Sequence, residues 1–156
     1  MTLRFREVVE DDLPLLVDML ADDELGAQRE DKNIPLNQDY VSAFQQIVAD
    51  PNNELIVVEQ TDQSEAIVGM LQLTFIPYLT YIGSWRCLIE GVRIHRAFRG
   101  HGFGTQFFTW AIERAKERGC HMVQLTSDKQ RPDAIRFYES LGFVASHEGF
   151  KLKLEG

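Results

Sequence analysis

"RGHGFG", residues 99–104, is the stretch whose reading decides the fold. Upstream lies "LIEGVRI", residues 88–94, an apolar and β-branched run that predicts a strand. Downstream, Phe107, Phe108, Ala111, Ile112 and Ala115 recur at helical spacing. That helix is expected from about Gly104 to Arg118, with Lys116 and Arg118 in its last turn and Gly119 as its stop. Gly100, Gly102 and Gly104 therefore fall where a strand hands over to a helix. The first turn of a helix carries unpaired N–H groups and a partial positive charge, which suits phosphate. Glycine removes the Cβ atoms that would hold a phosphate off those amides, and it accepts positive φ.

Two familiar phosphate loops fail against the letters. The dinucleotide pattern G-x-G-x-x-G needs glycine at 105, where Thr105 stands. The Walker pattern needs Lys followed by Ser or Thr after its last glycine, whereas Gly104 is followed by Thr105 and Gln106. A third pattern, R/Q-x-x-G-x-G/A, matches Arg99, Gly102 and Gly104. Some thirty-five residues on, "DAIRFYESLGF" places an Ala and a Tyr on a helix closed by Leu-Gly-Phe. Together these stretches resemble the two signatures of the GNAT superfamily of acetyl-CoA-dependent N-acetyltransferases. The resemblance covers nearly the whole chain in element order and is strongest from Ile89 to Phe143.

The resemblance implies a mixed α/β layer fold: a central, mostly antiparallel sheet with a splayed parallel strand pair and about four flanking helices. The splayed strands are "LIEGVRI" and "HMVQLTS", with coenzyme A held between them. Carried over, the backbone of Val92, Arg93 and Ile94 pairs with the pantetheine arm, and the amides of Arg99, Gly100, His101, Gly102, Phe103, Gly104 and Thr105 hold the pyrophosphate. Gly91 inside a strand marks a bulge or a close backbone approach, and a bulge helps to separate the strands. Many relatives carry Asn seven residues before the signature Tyr. Here that position is Arg131, whose guanidinium has donors for phosphate or else lies at the surface.

Two residues are assigned to the chemistry. By simple alternation Glu90 shares a face with Leu88, Val92 and Ile94, where desolvation would raise its pKa toward a general base's range. An alkyl amine with a pKa of about 10.4 needs such a base, since only its free form attacks a thioester. The alternative is a Glu90 paired with Arg86 or Arg93, or turned to solvent across a bulge. Tyr138 lies on the second signature helix, and the resemblance implies that its hydroxyl protonates the departing thiolate. Its other reading is a core tyrosine with a locally satisfied hydroxyl.

Around these motifs the chain reads as one domain, residues 1–156, without repeats, low-complexity tracts or linkers. Residues 2–8 alternate as a strand. "EDDLPLLVDMLAD" is a helix with Glu10, Asp11 and Asp12 at its positive end and Pro14 in its first turn. "DELGAQREDKNIPLNQ" reads as a loop, and a helix follows over residues 40–48. "ELIVVEQ" and "AIVGMLQLTFI" flank the turn "TDQSE" as a hairpin, "RPDAIRFYESLGF" is the last helix, and a terminal strand or two completes the chain. Phe75, Tyr78, Tyr81 and Trp85 cluster around Pro77 and are read as lining the acceptor pocket, with core and edge packing as the alternative.

Lysine and arginine total 16 against 24 acidic residues, a net charge of -8, which argues against nucleic acid and either keeps the protein soluble or attracts a cationic small molecule or basic peptide. No stretch has signal-peptide or membrane-spanning character, so no membrane partner is expected. Cys87 and Cys120 have neither disulfide nor metal-ligand spacing, which fits a reducing, cytoplasmic setting and no metal. His95 and His101 flank the glycine loop and read either as phosphate contacts or, more commonly for such positions, as exposed side chains. The expected function is transfer of an acetyl group from acetyl-CoA to a primary amine of a small molecule or peptide, directly in a ternary complex. Homodimers are common among similar proteins. The rival readings are a non-catalytic acyl-CoA-binding or sensing domain and, less well matched, a nucleotide-binding module.

Overall fold

The computed structural model describes residues 2–62 and 66–154. Backbone packing divides the chain into two compact units, Met1–Gln124 and Leu125–Gly156.

The first unit is built on a five-stranded sheet. Its elements are β1 (Leu3–Glu7), a 3-10 turn (Glu10–Asp12), α1 (Leu13–Leu20), α2 (Glu24–Arg29) and α3 (Gln38–Ala49). Then come β2 (Asn53–Gln60), β3 (Ala66–Pro77), β4 (Trp85–Ile94), α4 (Phe103–Glu117) and β5 (Met122–Gln124). Strand order follows chain order, antiparallel from β1 to β4 and parallel between β4 and β5. Only the last pair needs a crossover, and α4 supplies it. The sequence expectation of a mixed, mostly antiparallel sheet with a parallel pair is met. The β2–β3 connection "TDQSE" ends in Gln63, Ser64 and Glu65, which lie outside the described residues.

Alternation along the strands divides the apolar residues between two layers. On one face, Leu13, Leu16 and Met19 of α1 pack with Val57 and Met70, flanked by Val41 and Phe44 of α3. On the other, Phe103, Phe107, Phe108, Ala111 and Ala115 of α4 are buried. Gly69 of β3 lies where the second layer is tightest. A Cβ there would come within 2.3 Å of the Arg93 carbonyl oxygen and 2.5 Å of the Phe107 ring. At the start of α1, Asp12 accepts the Val9 amide at 2.9 Å and pairs with Arg6 at 2.8 Å. Arg6 also reaches Glu59, which Arg4 contacts at 2.6 Å.

Three expectations need correction. Part of the stretch read as a loop forms α2, because the Asp23 carboxylate accepts the Gly26 amide and caps the turn. The strand expected over "HMVQLTS" is only Met122–Gln124. No terminal strand forms among the described residues of the second unit, whose one helix is α5 (Pro132–Ser140). Phe150, Leu152 and Leu154 alternate with Lys151 and Lys153 as a strand would, yet the described residues of this unit include no strand to share a ladder with them. Alternation signals a strand face but does not supply its partner.

Candidate active site

The glycine loop has the backbone its letters suggest. After β4 the chain makes a 3-10 turn (Arg96–Phe98), then passes through Gly100 at φ 82° and Gly102 at φ 76° into α4. A Cβ on either glycine would meet nothing within 4 Å, so the left-handed backbone rather than crowding calls for glycine. Phe103 begins α4 one residue ahead of the expected Gly104, with its side chain in the core. No side chain caps this helix at Gly102. Outside the helix's own ladder, the amides of Arg99, Gly100, His101, Gly102, Phe103, Gly104 and Thr105 donate to no backbone acceptor among the described residues. The loop is instead tied down by side chains. Arg99 donates through Nε to the Ile94 carbonyl at 3.2 Å and pairs with Asp22 at 3.4 Å, while Arg96 pairs with the same carboxylate at 3.3 Å. His95 Nδ1 accepts the Ala97 amide, and the exposed His101 ring lies beside Phe103.

Beside the loop, β4 carries the predicted bulge. Gly91 has φ 61°, and the register with β3 slips there, with Gln72 opposite Glu90 but Met70 opposite Arg93. One extra residue resets the alternation. Val92 consequently packs with Ile89, Leu71, Phe107, Phe108 and Ala111 beneath α4 rather than on the face of Glu90. Glu90 is exposed. The expectation that it lies desolvated among Leu88, Val92 and Ile94 is therefore overturned, because the bulge sends Val92 to the opposite face. Pairing of β4 with β5 ends at Leu88 opposite Gln124. Beyond it, the register with β3 continues through Arg93 opposite Met70 and Ile94 opposite Gly69.

The Glu90 face holds further polar groups. Arg86, Leu88 and Glu90 alternate along it, opposite Ile76, Thr74 and Gln72 of β3. Gln72 also borders an open depression of about 470 Å³ with Gln46, Ile47, Asp50 and Asn53. Arg86 donates to Gln124 at 3.0 Å, and its guanidinium lies 4.3 Å from the centre of the Tyr78 ring and 5.2 Å from that of Tyr81. Sequence reading noticed Arg86 only as a partner for Glu90. Its position beside Gln124 depends on strand register, which no local pattern reports. The aromatic cluster divides: Phe75 is buried under Arg118, the C-cap of α4, on the far face, while Tyr78 and Tyr81 gather on Arg86. Phe75 therefore lines no pocket on the Glu90 face.

The thiols fit no nucleophilic role. Burial pushes the Cys87 thiol up to about 12, and burial likewise raises Cys120. No group of three His, Cys, Asp or Glu side chains gathers as a metal site among the described residues. No helix among them is long and apolar enough to cross a membrane. In the second unit, Tyr138 sits in the last turn of α5 with its ring between Phe137 and Phe143. Arg131 precedes Pro132 at the N-cap of the same helix.

Known proteins share this chain's pattern. The model of the acetyltransferase (GNAT) family matches residues 17–143, a stretch that includes parts of both units. The aminoalkylphosphonate N-acetyltransferase of Salmonella typhimurium is 32% identical over 84 residues, 54% of this chain and 54% of that protein. The chain thus spans about half the length of this curated relative, and less of others that it matches. A crystal structure of a transcriptional regulator from Bacillus halodurans C-125 is 61% identical, with 98% of this chain and all of that one covered at a TM-score of 0.92. A predicted acetyltransferase from Clostridium acetobutylicum, crystallised with acetyl-CoA, shares the fold at a TM-score of 0.70 and 23% identity, over 97% of this chain and 96% of that one. With a family model matched from the end of α1 to beyond α5, the chain belongs to the acetyltransferase (GNAT) family.

Proposed function

We propose that this protein transfers an acetyl group from acetyl-CoA to a primary amine of a small molecule or peptide, directly in a ternary complex. One observation carries the reading: an uncapped, glycine-led helix start follows β4, whose parallel register with β5 runs only from Arg86 to Leu88. The amides from Arg99 to Thr105 suit a pyrophosphate there, helped by the positive end of α4. The backbone of Val92, Arg93 and Ile94 binds the pantetheine arm, and Arg131 offers donors to a phosphate. Arg99 acts through its backbone, since its side chain is occupied by Asp22 and the Ile94 carbonyl.

Bound acetyl-CoA supplies the thioester. Glu90 takes the amine's proton, directly or through water, and an amide near Val92 faces the charge that develops on the thioester oxygen. Tyr138 returns a proton to the departing thiolate. The match of the family model through both units supports treating residues 1–156 as one functional domain. The small amine named for the Salmonella relative supports a small-molecule acceptor. Two free cysteines support a reducing compartment.

The test is release of coenzyme A thiol from acetyl-CoA across a panel of amines and basic peptides. Amine-dependent release is expected. Tight acetyl-CoA binding with no release against any amine would replace the transferase with an acyl-CoA sensor, the reading favoured by the regulator description of the Bacillus halodurans protein.

A further inference from the structure

The acceptor face carries a cation that the transfer chemistry leaves unused. Arg86 stands on the same side of β4 as Glu90, four residues earlier, which separates their Cα atoms by about 13 Å. The chain has 24 acidic residues against 16 basic ones, yet no carboxylate ion-pairs with Arg86 among the described residues. What holds Arg86 is neutral. One Nη donates to Gln124 Oε1 at 3.0 Å, and the guanidinium stacks near the Tyr78 and Tyr81 rings. The loop places the Tyr81 ring at a conformational cost, because Tyr81 and Ile82 have φ of 54° and 59°. That left-handed region is unfavourable for any residue with a Cβ. Ser84 fastens the turn by donating to the Tyr81 carbonyl at 2.5 Å.

A guanidinium fixed in this way keeps Nε and its second Nη as parallel donors, the arrangement that binds an oxyanion through two hydrogen bonds. We propose that Arg86 is a specificity residue that binds an oxyanion on the acceptor, so that the preferred substrates are primary amines also bearing a phosphonate, phosphate or carboxylate group. The ammonium lies toward Glu90 and the oxyanion toward Arg86. The inference rests on the transferase reading for its amine end only; the oxyanion contact stands on Arg86 itself.

The experiment has two arms. In the first, turnover is compared within matched acceptors: 3-aminopropylphosphonate, O-phosphoethanolamine and β-alanine against n-butylamine and ethanolamine. At least one oxyanionic amine should show a kcat/KM tenfold or more above its uncharged counterpart. Arg86→Gln should erase that ratio mainly through acceptor KM, and Arg86→Lys should restore part of it. In the second arm, methylphosphonate and acetate, which carry no amine, are titrated while the Arg86 Nε–H NMR resonance is followed, assigned by its loss in Arg86→Gln. A saturable shift is expected, and comparing the two anions identifies the favoured oxyanion. Transfer with equal use of charged and uncharged amines, or an unchanged ratio in Arg86→Gln, overturns the inference and leaves the transferase standing. A saturable shift without transfer to any amine does the reverse. No shift with either anion overturns it whatever the turnover.

Discussion

Glu90 and Tyr138 carry the proposed proton transfers, and each makes a distinct kinetic prediction. An exposed Glu90 beside Gln72 can meet an ammonium from solvent. Glu90→Gln should lower kcat/KM for the amine by about 100-fold at neutral pH, the lower range for a lost general base, with little change in acetyl-CoA affinity. The deficit should shrink as pH approaches the amine's own pKa of about 10.4, where the free amine needs no base. A deficit constant across that range would leave Glu90 a binding role alone. Tyr138→Phe should reduce kcat more than acetyl-CoA affinity, measured by turnover and direct titration; unchanged turnover removes Tyr138 from the mechanism. Cys87, with its thiol pushed up to about 12 by burial, should resist alkylation in the folded protein and react once it is unfolded.

At the scale of elements, two glycines do different work. Gly102 opens α4 at φ 76° with space around its Cβ position, so Gly102→Ala should cost about 1–2 kcal/mol from backbone alone. Because it alters the amides proposed to hold the pyrophosphate, acetyl-CoA affinity should fall with it, which isothermal titration can check. Gly69 fails for lack of room, since its neighbours at 2.3 and 2.5 Å are the Arg93 carbonyl and the Phe107 ring. A carbonyl in a sheet ladder has little freedom to move. Gly69→Ala should therefore destabilise by about 1–3 kcal/mol through overpacking. Denaturant midpoints should fall for both variants, and titration with acetyl-CoA tests the loss of affinity expected of Gly102→Ala.

For the molecule as a whole, stability at low pH should follow the Arg4, Arg6, Asp12 and Glu59 cluster. Burial opposes ionisation of Asp12 and Glu59, yet the arginine hydrogen bonds and attraction, together with the Val9 amide at Asp12, hold both carboxyls below their usual range. A carboxyl lowered on folding stabilises above its unfolded pKa of about 4 and loses that contribution as pH falls through the lower folded value. Urea midpoints should stay level with respect to this cluster near neutrality and drop below about pH 4, with a weaker drop in Asp12→Asn. Much of this protein was legible from the letters alone. The glycine run, helical spacing in α4 and alternation in β2 and β3 are local properties that fix backbone conformation within a few residues. They placed the loop, most elements and the family. What the letters could not decide was register and partnership. The bulge at Gly91 sent Val92 under α4 and left Glu90 exposed. Strand order put Arg86 beside Gln124, and the alternating tail gained no ladder. Those outcomes depend on which distant backbone lies alongside, and only the folded chain brings residues far apart in sequence to one face of a sheet.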